Sequence, residues 1–425
     1  MTGPARRHNR TERLTHGGVP SWPSYCPART RAPRRDSDTR RIATRDLLRA
    51  ASAALLLVAA GAPALAAQGY WRATLYPYAY YSSIDGWWGA LHYGRYSPLG
   101  VVERPEPNRA SVSVDAGAST AGSYAVLAEA QAPAWWDGWR VGLTLGAARS
   151  NRLGYYGLGN DTPYSPDSSA IAGPYFYKVS RTRLMARATA ERRVVGPVRL
   201  LVGGVLARTD YRALPGPSVF ARDLASGVVS PAAVPFTDRV IRIGLVMDTR
   251  DHEIDPHAGI LLEALFARGT GYTRTTGAAR VQAHPFAKLV LAGRLAAEGT
   301  GGTPPLAVQQ DMEAAERSFV ALGGYRSLRG YYDGRFTGPG KLLGGLEARY
   351  AVLWAPSLVE LRLVAFYDAG RVFGPGEAVR LTTTGLHHGG GGEVALRFLR
   401  NSLFVVGYGR GSEGGELLVG TTWSY

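Results

Sequence analysis

The sequence predicts an all-β fold, a transmembrane antiparallel β-barrel of about 16 strands. Three observations predict it. Stretches of about 9 to 13 residues alternate apolar and polar side chains along most of the chain. The 425 residues include 54 glycines, 23 tyrosines and 9 tryptophans, a composition that favours strands and tight turns over helices. Beyond residue 66, no apolar run reaches the ~18 residues expected of a membrane-spanning helix.

The segment 238–248 illustrates the alternation. Ile241, Ile243 and Leu245 share one face of a strand, and Arg242 and Asp248 share the other. Soluble β-sandwiches also alternate, but their strands usually have about 5 or 6 residues. Strands of about 10 residues with one apolar face and one charged face are typical of a transmembrane barrel, because its lumen is wet.

Sixteen segments follow this pattern, and an even number is the rule for bacterial barrels. From a periplasmic N-terminus, odd strands run outward, so residues 299–340 become an extracellular loop and the segments 355–357 and 400–401 become short periplasmic turns. The predicted strands are 73–82, 86–96, 109–117, 121–131, 137–148, 174–192, 197–210, 238–248, 259–270, 274–285, 287–298, 341–354, 358–370, 390–399, 401–411 and 415–425.

The N-terminal region reads as an export signal. Residues 41–66 combine a charged segment, an apolar segment of about 11 residues and the small-residue pattern of a cleavage site. We therefore expect a signal peptide, cut near Ala66, and an outer-membrane barrel over 67–425 in a bacterial cell. Residues 1–40 are a basic, disordered extension or a mis-assigned start.

Charge and cysteine usage narrow the function further. Half of the net charge of +16 lies in the first 66 residues, and the remainder forms no basic block, so we expect no nucleic-acid partner. Cys26 is the only cysteine and precedes the barrel, which excludes disulfides and cysteine-based metal sites there.

Four short motifs, in order, resemble the BamA/TamA superfamily of outer-membrane barrels, the bacterial surface antigen family. The first runs from DTRD at 248–251 to DPHAG at 255–259, and the second comprises LGG at 322–324 and LRGY at 328–331. GLEARY at 345–350 and FYDAG at 366–370 complete the set. The resemblance extends over about 238–425.

The resemblance implies that the extracellular loop folds back into the lumen, where Arg329 pairs with acids on the wall. Alternation independently places Glu347 and Asp368 on one inner face, and a hairpin centred on Pro356 pairs residue 347 with about 365 and residue 368 with about 344. A guanidinium between two carboxylates relieves their repulsion. The alternative is that Arg329 is solvated and the acids pair with Arg349 or Arg362.

Several residues around Arg329 should shape this latch. Glycines at 323, 324 and 330 permit tight turns and a close approach to the wall, and the tyrosines at 325, 331 and 332 would wedge the loop in place. The predicted latch comprises Gly323, Gly324, Arg329, Gly330, Tyr331, Glu347 and Asp368.

The acidic and histidine-rich segment 248–259 contains the residue types of a metal-binding site. Turn chemistry explains it better, because Asp and Pro shape a periplasmic turn and a glycine opens the next strand. The predicted turn motif is Asp248, Arg250, Asp251, Pro256 and Gly259. His387 and His388, placed in an outer loop, lack a ligand partner, and the glycines at 389–392 lack the lysine and helix of a phosphate loop. We therefore expect no metal, no cofactor and no enzymatic activity.

The chain ends on an aromatic strand signal, Gly420, Trp423 and Tyr425. Alternation places Trp423 and Tyr425 on the face of Leu417, and outer-membrane barrels commonly end in such a strand, with which the assembly machinery pairs by β-augmentation. An ordinary strand end in an aromatic belt is the alternative reading.

The resemblance implies protein insertion or translocation at the outer membrane, with outer-membrane lipid and unfolded polypeptide clients as partners. Family members that assemble proteins carry periplasmic POTRA domains, for which the predicted barrel leaves no room, so a separate periplasmic partner could supply their role. The alternatives are a passive pore or structural surface barrel, and a soluble periplasmic β protein.

Overall fold

The computed structural model describes residues 70–82, 84–99, 105–355, 359–398 and 402–425. The predicted signal peptide and the extension before it lie outside these residues, as do most of the two short turns predicted at 355–357 and 400–401. No helix among the described residues is both long and apolar enough to cross a membrane.

Sixteen long strands of the described chain form one antiparallel sheet in sequence order, which confirms the predicted fold class and strand number. Two further strands, β12 and β13, form a small hairpin of their own. The strands are β1 (Arg72–Ser82), β2 (Gly86–Ser97), β3 (Ala110–Ser119), β4 (Tyr124–Trp136), β5 (Trp139–Gly154), β6 (Lys178–Val195), β7 (Val198–Ala213), β8 (Phe236–Asp248), β9 (Gly259–Gly269), β10 (Tyr272–Phe286), β11 (Leu289–Gly302), β12 (Asp311–Met312), β13 (Phe319–Val320), β14 (Gly340–Ala355), β15 (Val359–Phe373), β16 (His387–Phe398), β17 (Ser402–Gly411) and β18 (Gly414–Gly420).

The sheet curls into a nearly closed barrel. Its first and last strands, β1 and β18, contact each other, but no hydrogen-bonded ladder joins them among the described residues. We call this junction the seam. At only seven residues, β18 is the shortest barrel strand and is four residues shorter than β1.

Alternation sorts the side chains as predicted. On β8, Ile241, Ile243 and Leu245 are exposed on the outer face, whereas Arg242 and Val246 are buried in the lumen. An outer band of exposed apolar side chains and an inner surface rich in charge is the arrangement that a lipid bilayer requires of a barrel.

The two ends of the barrel differ. At one end the turns are mostly short, with β4 and β5 separated by two residues and β6 and β7 by two. The other end carries the segments 155–177, 214–235, 303–339 and 374–386. These hold helices α1 (Pro166–Ala172), α2 (Val219–Ala225) and α3 (Leu306–Gln310) and a 3-10 helix (Pro231–Ala233).

Aromatic side chains pack beneath the long loops. Tyr155, Phe220 and Tyr211 are buried in one apolar cluster, and the hydroxyl of Tyr155 donates to Asp223 at 2.9 Å. The Oγ of Ser218 accepts from the backbone N–H of Ala221 at 3.1 Å, which caps α2 within this cluster. This packing covers the lumen at the long-loop end.

Two predicted details were wrong. The register of β14 and β15 pairs Glu347 with Phe366 and Asp368 with Gly345, one residue from the prediction. Next to the turn, Ala355 pairs with Val359, which is two residues from the register of a hairpin centred on Pro356, and a bulge between Ala351 and Leu353 reduces this offset to one residue. His387 and His388 do not lie in an outer loop, since β16 begins at His387.

Candidate functional site inside the barrel

The segment between β11 and β14, residues 303–339, folds into the barrel, and we call it the lumen loop. Its turn at 323–330 contains three glycines with positive φ, at 119° for Gly323, 88° for Gly324 and 93° for Gly330, a conformation that other residues rarely adopt. The Oγ of Ser327 donates to the carbonyl of Gly323 at 2.7 Å and closes the turn. Local chemistry therefore gives the loop a fixed tip.

Arg329 lies at this tip against three carboxylates of the wall. Its Nε and Nη2 donate to the two oxygens of Asp368, at 2.7 and 3.0 Å. Its Nη1 donates to Oε1 of Glu347 at 2.6 Å and to Oε1 of Glu393 at 3.2 Å. The ring centroid of Phe366 lies 3.8 Å from Cζ. The Arg329 side chain has no exposed surface, so these contacts are shielded from bulk water.

The structure thus brings together Arg329, Glu347 and Asp368, and it adds Glu393, which the sequence reasoning missed. Burial alone lowers the pKa of Arg329, but the attraction of Glu347 and Asp368 outweighs it and raises that pKa well above its ordinary value. The loop arginine is therefore a permanent cation in a cage of acids.

Two wall arginines complete the balance of charge. Arg349 contacts Glu347 at 2.6 Å, and Arg294 approaches Asp368 at 3.5 Å. Arg294 also donates to the backbone carbonyls of Arg326 and Ser327 in the lumen loop. With Arg329, three cations meet three carboxylates, which offsets much of the cost of burying them.

Glycines on β16 and β17 make room for the loop. A Cβ at Gly389 would collide with the carbonyl oxygen of Arg329, and one at Gly409 would collide with the backbone nitrogen of Gly330. The run of glycines at 389–392, which the sequence reasoning only excluded as a phosphate loop, begins with this contact. A run of glycines in a strand next to a motif loop is the sequence signal that could have predicted this close approach of the two backbones.

The three predicted wedge tyrosines lie in different places. Tyr331 is buried, and its hydroxyl lies 3.0 Å from Oγ of Ser412. The hydroxyl of Tyr325 donates to the carbonyl of Thr422 at 2.6 Å, next to the chain end. Tyr332 packs near Tyr156 under the long loops.

The lumen loop has a second anchor of opposite sign. Glu313, next to the β12–β13 hairpin, accepts three wall arginines: Arg187 at 3.1 Å, Arg242 at 3.2 Å and Arg274 at 3.5 Å. Arg187 and Arg242 also donate to the carbonyls of residues 314 and 315. One end of the loop therefore binds the β6–β10 wall and the other binds the β14–β16 wall. The sequence reasoning missed this anchor.

A third contact joins the lumen loop to the last hairpin. Arg335 donates from Nε and Nη2 to the carboxylate of Glu413, at 2.7 and 2.6 Å, in the turn between β17 and β18. Its Nη1 donates to Oγ1 of Thr162 at 2.6 Å. The loop thus touches the turn that leads into β18, the strand that borders the seam.

The chain end departs from the prediction. β18 stops at Gly420, and residues 421–425, the C-terminal tail, turn into the lumen, where Trp423 and Tyr425 are buried. Alternation had placed both rings on the outer face with Leu417. The Arg349 guanidinium lies over Trp423, 4.0 Å from its ring centroid, and supplies a cation–π contact inside the lumen.

Polar contacts hold the C-terminal tail in this position. Nε1 of Trp423 donates to Asp255 at 2.8 Å, and Oγ of Ser424 donates to Oε1 of Glu347 at 2.7 Å. Arg349 donates to the carbonyl of Tyr425 at 3.2 Å. Glu347 is therefore shared by the lumen loop and the chain end.

The predicted turn motif forms the connection between β8 and β9. Arg250 binds both oxygens of Asp248, at 3.0 and 2.9 Å. Oδ1 of Asp251 accepts the backbone N–H groups of residues 252, 257 and 258. Pro256 is buried, and a Cβ on Gly259, whose φ is 114°, would collide with Thr249. These residues shape a turn.

The metal reading has a geometric counterpart in this turn, where Asp255, His257 and Glu360 lie within ligand distance of one another. Arg362 occupies the centre of the group, donating to Asp255 at 2.8 Å and to Glu360 at 2.5 Å and lying 2.8 Å from Nε2 of His257. Burial lowers the pKa of His257, which favours its neutral, accepting form. A guanidinium already satisfies these ligands.

Among solved structures, the fold is similar to BamA from Haemophilus ducreyi lacking POTRA domains 1–3, with a TM-score of 0.51 and 13% identity over 83% of this chain and 68% of that one. It is also similar to CdiB from Escherichia coli, with a TM-score of 0.50 and 12% identity over 82% of this chain and 60% of that one. No curated protein matches the sequence.

In the part of the chain that the structure describes, every long strand belongs to the barrel, and no mixed domain of the POTRA kind is present. The family model of the Omp85 superfamily domain matches residues 110–409 of the sequence. This range comprises most of these strands together with the lumen loop. The chain belongs to the Omp85 superfamily.

Proposed function

We propose that the protein inserts or translocates polypeptides at the outer membrane, and that a client strand adds at the seam. Membership of the Omp85 superfamily supports a general role in handling polypeptides there. The observation that carries the proposal is the seam itself, where β1 and β18 are neighbours and no hydrogen-bonded ladder joins them in the described part of the chain.

An unpaired strand edge is a template for another strand. The 11 residues of β1 present backbone N–H and C=O groups beside a last strand of only seven residues. An extended client segment can satisfy those groups by β-augmentation, as in other strand-addition complexes. No chemical catalysis and no cofactor is part of this proposal.

The lumen loop would hold the seam in shape. It contacts the last hairpin through Arg335 and Glu413, and it shares Glu347 with the C-terminal tail through Arg329 and Ser424. Because these contacts are charge-assisted and at least partly buried, the position of β18 depends on how the loop is held.

The experiment is site-specific photo-crosslinking during client insertion. A photoreactive residue replaces Ala79 on β1, and a matched variant carries it at Ala264 on β9, far from the seam in the strand order. We expect an unfolded outer-membrane client to crosslink at position 79 and not at position 264. Equal crosslinking at both positions, or none at either, would refute strand addition at the seam.

A passive pore or structural barrel is the second candidate. Arg329 and Phe336 of the lumen loop are fully buried inside the barrel, and the aromatic cluster around Tyr155 covers the long-loop end, which argues against a wide open channel. Steady, large conductance in a planar bilayer, unchanged by Arg329→Ala, would favour the pore.

The barrel itself carries out insertion under this proposal, and a separate periplasmic protein would deliver clients to it. Co-purification of a periplasmic protein with the wild-type barrel from cells, followed by reconstitution of the pair, tests that arrangement. Full activity of the barrel alone in liposomes would make the partner unnecessary.

A further inference from the structure

The membrane-facing surface of β5–β9 contains a groove of about 770 Å³. The strand register explains its shape. Leu143 on β5 pairs with Ala188 on β6, Ala188 with Gly204 on β7, and Gly204 with Ile241 on β8. Two small residues thus lie between two large ones in a single row across four strands.

The contrast between small and large side chains continues around that row. Ala186 adds to the floor, and Leu206, Ile243 and Phe266 add to the walls. These walls are exposed apolar side chains on the outer face, where a barrel meets lipid tails rather than water. A groove of this kind suits acyl chains held more firmly than in bulk lipid.

Three arginines lie above the groove, towards the end with the long loops. Arg208, Arg239 and Arg268 stand on β7, β8 and β9 and are exposed. Each arginine lies two residues along its strand from an outward-facing residue, namely Leu206, Ile241 or Phe266, and therefore lies on the outer face as well. Leu206 pairs with Arg239 and Arg208 with Thr237, so Arg208 and Arg239 are diagonal neighbours. Ile241 pairs with Arg268, which is therefore diagonal to Arg239.

None of these three arginines has an ion pair within the described chain. Their one side-chain hydrogen bond among the described residues runs from Nη1 of Arg208 to Oγ1 of Thr237, at 3.5 Å. Asp210, two residues from Arg208 along β7 and on the same face, is paired with Arg212 at 3.0 Å. The outer face here carries an unbalanced positive charge directly beside an apolar groove.

We propose that this surface binds the lipid A part of lipopolysaccharide from the extracellular leaflet. In bacterial barrels the long loops mark the extracellular end, which puts the arginines at the level of that leaflet's headgroups. Guanidinium groups engage phosphates with two hydrogen bonds each. The phosphates would bind the three arginines, and one or more acyl chains would lie in the groove.

Native mass spectrometry of the protein refolded in detergent tests the proposal, because refolding removes lipid carried over from cells. The probes are bisphosphorylated lipid A, its monophosphorylated form and phosphatidylglycerol. The triple variant R208Q/R239Q/R268Q removes the charges, and Ala188→Phe fills the groove. Arg193→Gln, on an exposed arginine of β6 near the opposite end, is the matched control. Heat-modified migration on gels verifies folding of each variant.

We expect the wild type to bind bisphosphorylated lipid A in preference to phosphatidylglycerol, with the monophosphorylated form between them. The triple variant should lose at least about tenfold in affinity, since each guanidinium supplies charge-assisted bonds. Ala188→Phe should also weaken binding, and Arg193→Gln should not. Equal binding of phosphatidylglycerol and lipid A, or an unchanged triple variant, would overturn the site. Client insertion is not measured, so this outcome is independent of the proposed function.

Discussion

Arg329 and Asp368 form a two-point ion pair, with Nε and Nη2 of the arginine at 2.7 and 3.0 Å from the two carboxylate oxygens, and neither side chain has exposed surface. The pair joins the tip of the lumen loop to β15. Because the pair is shielded from water, removing either partner would leave an unpaired buried charge, which lowers the stability of the fold.

Arg329→Ala should therefore lower the local stability of the lumen loop by about 3 to 5 kcal/mol, because three buried carboxylates lose their shared cation. Limited proteolysis of the folded barrel measures this as faster cleavage within the loop. Arg326→Ala is the matched control, since Arg326 is exposed in the same loop and forms no ion pair with the described residues. Equal protease resistance of Arg329→Ala and wild type would show that the ion pairs do not hold the loop.

Gly389→Ala should displace the loop without changing any charge. The added Cβ would collide with the carbonyl of Arg329, and overpacking of this kind costs about 1 to 3 kcal/mol. Gly390→Ala is the control, because its Cβ would make only an ordinary contact of 3.5 Å. Thermal unfolding, followed by the change in gel migration between the folded and the unfolded barrel, should give a lower midpoint for Gly389→Ala than for Gly390→Ala. Equal midpoints would contradict the close approach of the loop to Gly389.

Glu313→Gln should destabilise the opposite anchor. Arg187, Arg242 and Arg274 would lose their common carboxylate in a buried site, at a cost of about 3 to 5 kcal/mol. Glu316→Gln serves as the control, because its side chain is 66% exposed. Urea titration of the barrel reports the difference, and a Glu313→Gln midpoint equal to that of the control would mean that the second anchor contributes little.

Trp423→Ala should release the C-terminal tail from the lumen. The change removes the hydrogen bond to Asp255 and the cation–π contact with Arg349. We expect faster digestion by carboxypeptidase than in wild type and in the control Thr422→Ala, since the Thr422 side chain is exposed. A tail that resists digestion equally in all three proteins would show that Trp423 does not secure it.

Asp333 of the lumen loop gives a pH dependence. Burial raises its pKa from 3.8 to about 6 in the folded protein. The folded state then binds the proton more tightly than the unfolded state, so stability from this group is present below pH 3.8 and is lost as the pH rises to about 6. The loop should resist proteolysis better at pH 4.5 than at pH 7, and Asp333→Asn should reduce that difference. A pH profile unchanged by Asp333→Asn would assign the dependence to other groups.

The alternation of apolar and polar residues made the barrel predictable, because successive side chains of a strand lie on opposite faces of the sheet. It placed Ile241 outward and Arg242 inward, and it set Glu347 and Asp368 on one inner wall. Glu393 could have been found by extending the same logic to the next hairpin, since its partner Val364 also faces inward.

The remaining features depend on contacts between distant parts of the chain. Glu313 meets arginines from β6, β8 and β10 only because the lumen loop crosses the barrel, and no local pattern encodes that route. The tail residues Trp423 and Tyr425 continue the alternation of β18 in sequence, yet the guanidinium groups of the lumen attract their rings inward. The bulge that shifts the β14–β15 register likewise leaves no mark in the polar and apolar pattern.

The most direct test of the central claim is the insertion of an unfolded client barrel into liposomes that contain this protein, beside liposomes that contain Arg329→Ala and empty ones. Our account predicts that the wild type accelerates client folding over empty liposomes and that Arg329→Ala loses most of that acceleration. A wild type no faster than empty liposomes would contradict the claim that this barrel inserts polypeptides, and equal acceleration by both proteins would contradict the role of the lumen loop.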